Sequence, residues 1–450
     1  MERKNISQKL NEIYAEKCRA NPRLLSLVRF YQGETKKKLY EIASSLAPQG
    51  VVVALTTENG NEETAKDVTE GLRGACSKIL SVKIPEKTDA VRAAASVLRA
   101  AEDARLIVTA EYPLIPLARY AAKISGLTFV YVMRTGETDG LLSPRLLLKN
   151  GNRTDCFFSD ARTRVIIDTD KICAGESFCK SVGESEGSGK DKVVSSAEEA
   201  AFAEKRIAAP LFAKLAGKIP ALADYRARLL ATGERPNAEA YGLLREAVKD
   251  GYIAFTKKDR EILPSLIYDS LLGEIADFLS DGELCSFSAL RFAEFLLAGE
   301  KRLPADLILE LYARISGIYA LYTSPLAEGL LEIPDYRERA HELAELTGTD
   351  EGIFLKGLIK QAEILNRYGE NADNITDKLF EELSKQNASA SSVRSTFVAY
   401  GKEVSGGKTG DSETRVSEEK LKKAIKLAGD SPFGINAMSF AREKGVTEFI

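Results

Sequence analysis

Between residues 50 and 170, short apolar runs alternate with amphipathic stretches. Val51–Leu55, Ile79–Ile84, Leu106–Val108, Phe129–Met133 and Val165–Ile167 have the form of buried strands. Glu62–Leu72, Ala90–Ala101 and Leu117–Ile124 have helical periodicity. This alternation predicts a parallel sheet covered by helices. Arg105–Gly140 is the most complete unit: strand, crossover helix, Gly126, then a second strand. Ligands of open α/β sheets sit outside the carboxyl ends of the strands. The turns Thr109–Pro116 and Arg134–Gly140 are therefore the predicted places for chemistry.

The pattern differs on either side. Residues 3–20 and 23–31 read as helices separated at Asn21-Pro22, and Lys36–Leu46 as a third, stopped by Pro48 and Gly50. Arg145–Leu148 and Thr154–Phe158 flank Asn150-Gly151, a hairpin signature. Residues 181–191 (SVGESEGSGKD) lack periodicity and read as a flexible linker. Beyond them strand signals fade. Ala197–Ala216, Ala221–Thr232, Ala238–Lys249, Leu266–Leu279, Ser288–Ala298 and Asp306–Tyr322 all read as helices, with prolines between them. The predicted organisation is an α/β, Rossmann-like, parallel-sheet domain (1–180), a linker (181–195), and an all-α helical domain (196–450) with a loose segment at 401–416.

Composition narrows the function. An apolar fraction of 44% with 29% charged residues fits a globular protein, and a net charge of −3 gives no reason to expect nucleic acid or membrane as partner. No apolar run is long enough to span a bilayer, and the charged N-terminus does not read as a signal peptide. The six cysteines include no CxxC pair, which predicts reduced thiols and a cytoplasmic location. The single histidine, His341, excludes a site with two histidine ligands from one chain.

Four stretches carry a resemblance: LIVTAEYPLIPLARYAAKISGLTFVYV (106–132), RTGETDGLLSP (134–144), KNGNRTDCFFSDARTRVIIDTDKI (149–172) and ALADYRARLLATGERPNAEAYGLLREAV (221–248). In these the chain resembles the glycerol-1-phosphate dehydrogenase family, within the dehydroquinate synthase-like and iron-containing alcohol dehydrogenase superfamily. The resemblance implies a nucleotide-binding domain, a helical domain and a cleft between them. It also implies NAD(P)-dependent reduction of dihydroxyacetone phosphate at a Zn²⁺-type metal.

Several residues depart from that chemistry. The family's phosphate loop reads G-S-G-T; here Ala110, Glu111, Tyr112 and Pro113 stand in its place. Pro113 and Pro116 lack N–H donors, and Glu111 puts negative charge where phosphates would lie. The segment TTENG resembles the second cofactor loop, making Thr56 and Thr57 cofactor-binding candidates along with Thr135. Thr57 stands where the family's aspartate would bind ribose hydroxyls, which weakens the case for NAD and would tolerate a 2′-phosphate, so the resemblance leaves NAD or NADP as the implied cofactor. None of the family's three metal ligands is matched in LAGKIPALADY, DGELCSFSAL or at Pro304, so the resemblance assigns no metal ligand here.

Asp139 matches the family aspartate that faces substrate, and it also fits a simple Asp-Gly turn. Arg134 and Arg145 are candidates to hold a phosphate or other anion. His341 lies among charges and reads as a surface residue. Two expectations follow. One is a divergent NAD(P)-linked oxidoreductase; the other is a non-catalytic relative that binds a small anionic metabolite or a protein partner.

Overall fold

A computed structural model describes residues 5–19, 21–85, 88–138, 140–150, 153–174, 208–235, 237–256, 262–285, 288–298, 303, 305–322, 335–368, 416–432 and 434–449. The proposed linker, residues 401–415 of the loose segment and Asp139 lie outside these residues. The chain divides into two compact units, Met1–Leu211 with Lys258–Glu274, and Phe212–Lys257 with Ile275–Ile450.

The first unit holds a six-stranded sheet in the order β1-β8-β5-β4-β2-β3, with every neighbouring pair parallel. Its strands are β1 (Val28–Gln32), β2 (Val51–Thr57), β3 (Lys78–Ile84), β4 (Ala104–Thr109), β5 (Thr128–Met133) and β8 (Arg162–Ile167). A separate antiparallel hairpin pairs β6 (Arg145–Asn150) with β7 (Arg153–Phe158). The predicted α/β architecture is thus the observed one.

Two-residue alternation assigns the faces. Val52, Ala54, Leu106, Val108, Val130, Val132 and Ile166 form one face of the core. They pack against Leu39, Ile42 and Ala43 of α3 (Thr35–Leu46) and Val68 and Leu72 of α4 (Glu62–Leu72). The intervening residues, including Val53, Ile107, Phe129, Tyr131 and Val165, are equally buried. They face α5 (Ala90–Ala101) and α6 (Ile115–Ser125), which pack on each other and on the sheet. So α4 leaves β2 onto one face and α6 leaves the neighbouring β4 onto the other. The carboxyl ends of β2 and β4 then flank the switch-point crevice, where such sheets bind ligands.

The N-terminal expectation needs correction. Residues 23–31 do not form a helix: only α2 (Pro22–Leu25) is helical, and Val28–Gln32 is the edge strand β1. Val28 and Phe30 are buried while Arg29 is exposed, a two-residue period too short to read. Pairing with β8 decides its conformation. Helix α1 (Ile6–Lys17) covers the outer edge of β1. Asn11 on it donates to the Phe30 carbonyl (2.8 Å) and accepts from the Phe30 N–H (3.0 Å), as a further strand would. Gln32 in return accepts from the amides of Ile6 (3.0 Å) and Ser7 (3.4 Å) at the start of α1. We expect Asn11→Ala to lower stability in urea denaturation by about 1–2 kcal/mol, because it strands two half-buried main-chain groups.

Helix α7 (Thr169–Ala174) follows β8. The later helices are α8 (Lys218–Thr232), α9 (Ala238–Thr256), α10 (Ile262–Leu279), α11 (Ala289–Ala298), α12 (Ala305–Tyr322), α13 (Tyr336–Thr347), α14 (Glu351–Tyr368), α15 (Glu418–Lys426) and α16 (Ala437–Glu443). No helix among the described residues is long and apolar enough to cross a membrane.

Candidate functional site

The switch-point crevice is occupied by the chain's own carboxylate. Thr109 closes β4 with its hydroxyl donating to Leu55 O (3.0 Å) and accepting from the Glu111 N–H (3.1 Å). This places Glu111 over the end of β2. Its Oε2 accepts from the Thr57 N–H at 2.9 Å. Among the described residues its Oε1 is buried without a hydrogen-bond partner, and it stands where a Cβ on residue 60 would lie, so a larger residue there would push the acid aside. Glycine at 60 is what lets the turn approach the acid. The turn itself is closed by bonds from Gly60 N to Thr57 O (3.1 Å) and from Glu58 N to Ile84 O (3.0 Å). Thr56 and Thr57 are half-buried at this strand end, and the Thr57 amide is already engaged.

Other points on the carboxyl edge are closed from within. Asn61 caps α4 through the Thr64 N–H (3.0 Å). Asp168, at the end of β8, accepts from Thr35 N (2.9 Å) and Thr35 Oγ1 (2.6 Å) at the start of α3, and from Lys171 N (3.2 Å) in α7. Helix α6 begins at Ile115 after the turn residues Tyr112–Leu114, and Pro116 in its first turn removes a donor. Of these helix starts, which could receive an anion, those of α3, α4 and α7 are bonded by side chains and that of α6 has one amide fewer.

In the turn after β5 the arginine has a counter-charge. The Arg134 guanidinium is buried and forms an ion pair with Asp67 of α4 at 2.9 Å, and Asp67 also meets Lys36 at 3.3 Å. Thr135 is half-buried in the same turn. Arg145 is half-buried at the start of β6, where its main chain pairs with Phe158.

Just beyond the turn, residues 140–143 are held by two buried side chains. Arg119 of α6 donates to the carbonyls of Ser143, Leu142 (3.3 Å), Ser159 (3.1 Å) and Gly140 (3.4 Å). Glu274 accepts from the amides of Gly140 (3.2 Å) and Leu142 (3.1 Å). Neither was singled out from sequence, because both act on backbone groups, which leave no residue signature.

In the second unit, Asp224 of α8 is fully buried. It accepts from Tyr319 Oη (2.5 Å), Ala289 N (2.8 Å) and Ala437 N (2.9 Å), joining α12 and the first residues of α11 and α16. Burial pushes its carboxyl up to about 7, while the three donors pull the other way. Burial, then the adjacent carboxylate, raises the Tyr319 phenol well above its usual value. His341 is exposed on α13, 3.1 Å from Glu351 and 3.5 Å from Glu345; the bond to Glu351 leads in raising its pKa. Among the described residues no group of three or more His, Cys, Asp or Glu side chains is arranged to hold a metal ion.

No protein-family model matches the chain, and no curated protein matches its sequence. Solved structures do. An iron-containing alcohol dehydrogenase from Thermococcus thioreducens aligns over 83% of this chain and 98% of its own, at 12% identity and a TM-score of 0.46. A sulfoacetaldehyde reductase from Bifidobacterium kashiwanohense, solved with NAD+, aligns over 89% and 90%, at 12% identity and TM-score 0.45. A glycerol dehydrogenase from Schizosaccharomyces pombe aligns over 88% and 95%, at 14% identity and TM-score 0.41.

Proposed function

We propose that this chain is a non-catalytic relative of the NAD(P)-linked, metal-dependent dehydrogenases it resembles, and that it acts by binding a protein partner. One observation carries the reading: Glu111 fills the β2–β4 crevice and takes the Thr57 amide. The residues present do not fit a dinucleotide in its usual pose. A phosphate there would meet a carboxylate, and the turn that should cradle it carries Pro113 and Pro116. The pairing of Arg134 with Asp67 supports the protein-partner reading over the small-anion one, since that cation already has its counter-charge.

The alternative is an oxidoreductase acting on glycerol 1-phosphate or dihydroxyacetone phosphate through NAD or NADP. A titration separates the two. We expect wild-type protein to leave NADH and NADPH fluorescence unchanged at millimolar coenzyme, and to give no turnover with Zn²⁺, Ni²⁺, Fe²⁺ or Mg²⁺. Saturable coenzyme binding by the wild type, with turnover of either substrate, would establish the alternative.

A further inference from the structure

The C-terminal portion, 416–449, has the properties of a separate module seated in the helical unit. Ser417 caps α15 through the Lys420 N–H (3.2 Å), and Asn436 with Ser439 forms a reciprocal capping box on α16. The two halves are tied by Asn436 Nδ2 to Ala428 O (3.1 Å) and Ser439 Oγ to Gly429 O (2.7 Å). Gly429 lets the halves touch: a Cβ there would lie 2.5 Å from Met438 O. The result is a helix–turn–helix hairpin closed by its own hydrogen bonds.

Within it Arg442 also meets Asp430 at 3.5 Å and donates to Thr447 (3.1 Å), and further contacts come from other helices. Asp224 takes the Ala437 amide (2.9 Å) at the start of α16. Gln361 of α14 donates to Gly429 O (2.8 Å) and Ser439 Oγ (2.7 Å). Arg339 of α13 pairs with Asp430, which is fully buried, and with Glu443 at 2.9 Å. Gly357 of α14 makes room for the hairpin turn: a Cβ there would lie 2.9 Å from Pro432. The socket thus presents a carboxylate to a helix N-terminus, a guanidinium to an acid and an amide to a carbonyl. An acid at a helix N-terminus and charge-assisted hydrogen bonds fix the seat of a helix, beside the apolar burial of Leu421, Ile425, Met438 and Phe440.

We propose that the hairpin is an intramolecular ligand of the helical unit. It occupies a peptide-binding socket formed by Asp224, Tyr319, Arg339 and Gln361, which accepts the same hairpin when it is supplied by a second molecule. The sequence 401–416 (GKEVSGGKTGDSETRV), rich in Gly, Ser and charge, precedes the hairpin and is where the test places a cut. This inference is independent of the reading of the β2–β4 crevice.

The test uses the full chain with a specific protease site inserted after Gly407. After cleavage of folded protein, the hairpin should remain bound through gel filtration. A fluorescent synthetic peptide of residues 416–450 should then exchange into the socket and be competed by unlabelled peptide. Peptides carrying Asp430→Ala or Asn436→Ala should compete at least tenfold more weakly. Loss of the hairpin at cleavage with the remainder still folded would overturn the proposal. So would unfolding of the remainder on cleavage, absence of exchange, or equal competition by the substituted peptides.

Discussion

Asp224→Ala is expected to lower the unfolding free energy of the helical unit by about 3–5 kcal/mol, as for the loss of a buried network hub. The alanine would leave the Tyr319 hydroxyl and the amides of Ala289 and Ala437 without their acceptor. Asp224→Asn keeps one carbonyl oxygen and the side-chain volume, so it should cost less. Its main value lies in the pH dependence. The native carboxyl is held up at about 7, against 3.8 for an ordinary aspartate. Between those values the native state holds a proton that the unfolded state has released. Unfolding free energy therefore falls as pH rises from about 4 to about 7, by on the order of 4 kcal/mol at most, and levels above that. Asp224→Asn removes this titration. Urea midpoints taken from pH 4.5 to 8 should decline for the wild type relative to the variant; parallel curves would show that Asp224 stays ionised through the range.

The second large effect is expected at Arg119, which is 1% exposed. Arg119→Ala opens a void behind the turn following β5 and strips four carbonyls of their donor. The cost should be about 3–5 kcal/mol. Arg119→Lys restores the charge but not the planar fork of donors, so it should recover less than half of that loss. Hydrogen exchange provides the local readout. The Gly140 and Leu142 amides should lose protection in Arg119→Ala even though their acceptor, Glu274, is untouched. Unchanged protection at these amides would show that Glu274 alone holds the segment.

The sheet was legible in the sequence because its inner strands are apolar on both faces and end at clear turns. Strand β1 was not. It has only Val28 and Phe30 to bury, and its conformation depends on β8, far along the chain. The helical half was legible in outline from its periodicity and prolines, but its organising residue was not. Asp224 sits inside LADY with nothing local to distinguish it from a surface aspartate, since its partners come from three distant segments.

The candidate site divides in the same way. The charge of Glu111 and the missing glycines could be read directly. That its carboxylate reaches the Thr57 amide depends on β2 and β4 being neighbours, and adjacency in a sheet is a property of topology. Arg134 was visible as a cation, but its counter-charge comes from α4, which no spacing around residue 134 reveals.

The Asn11–Phe30 pairing has a consequence for how copies of this protein can misassemble. A six-stranded sheet has two ends from which it could grow by recruiting a foreign strand. At β1 that end is covered by α1, and Asn11 satisfies both outward main-chain groups of Phe30 at the middle of the strand. At β3 the described residues give looser protection: the exposed Lys78 and Lys83 discourage a neighbour through charge and hydration. Polymerisation seeded by intact protein should therefore be one-directional, starting at β3. A chain that has lost its first helix would expose a second growing end.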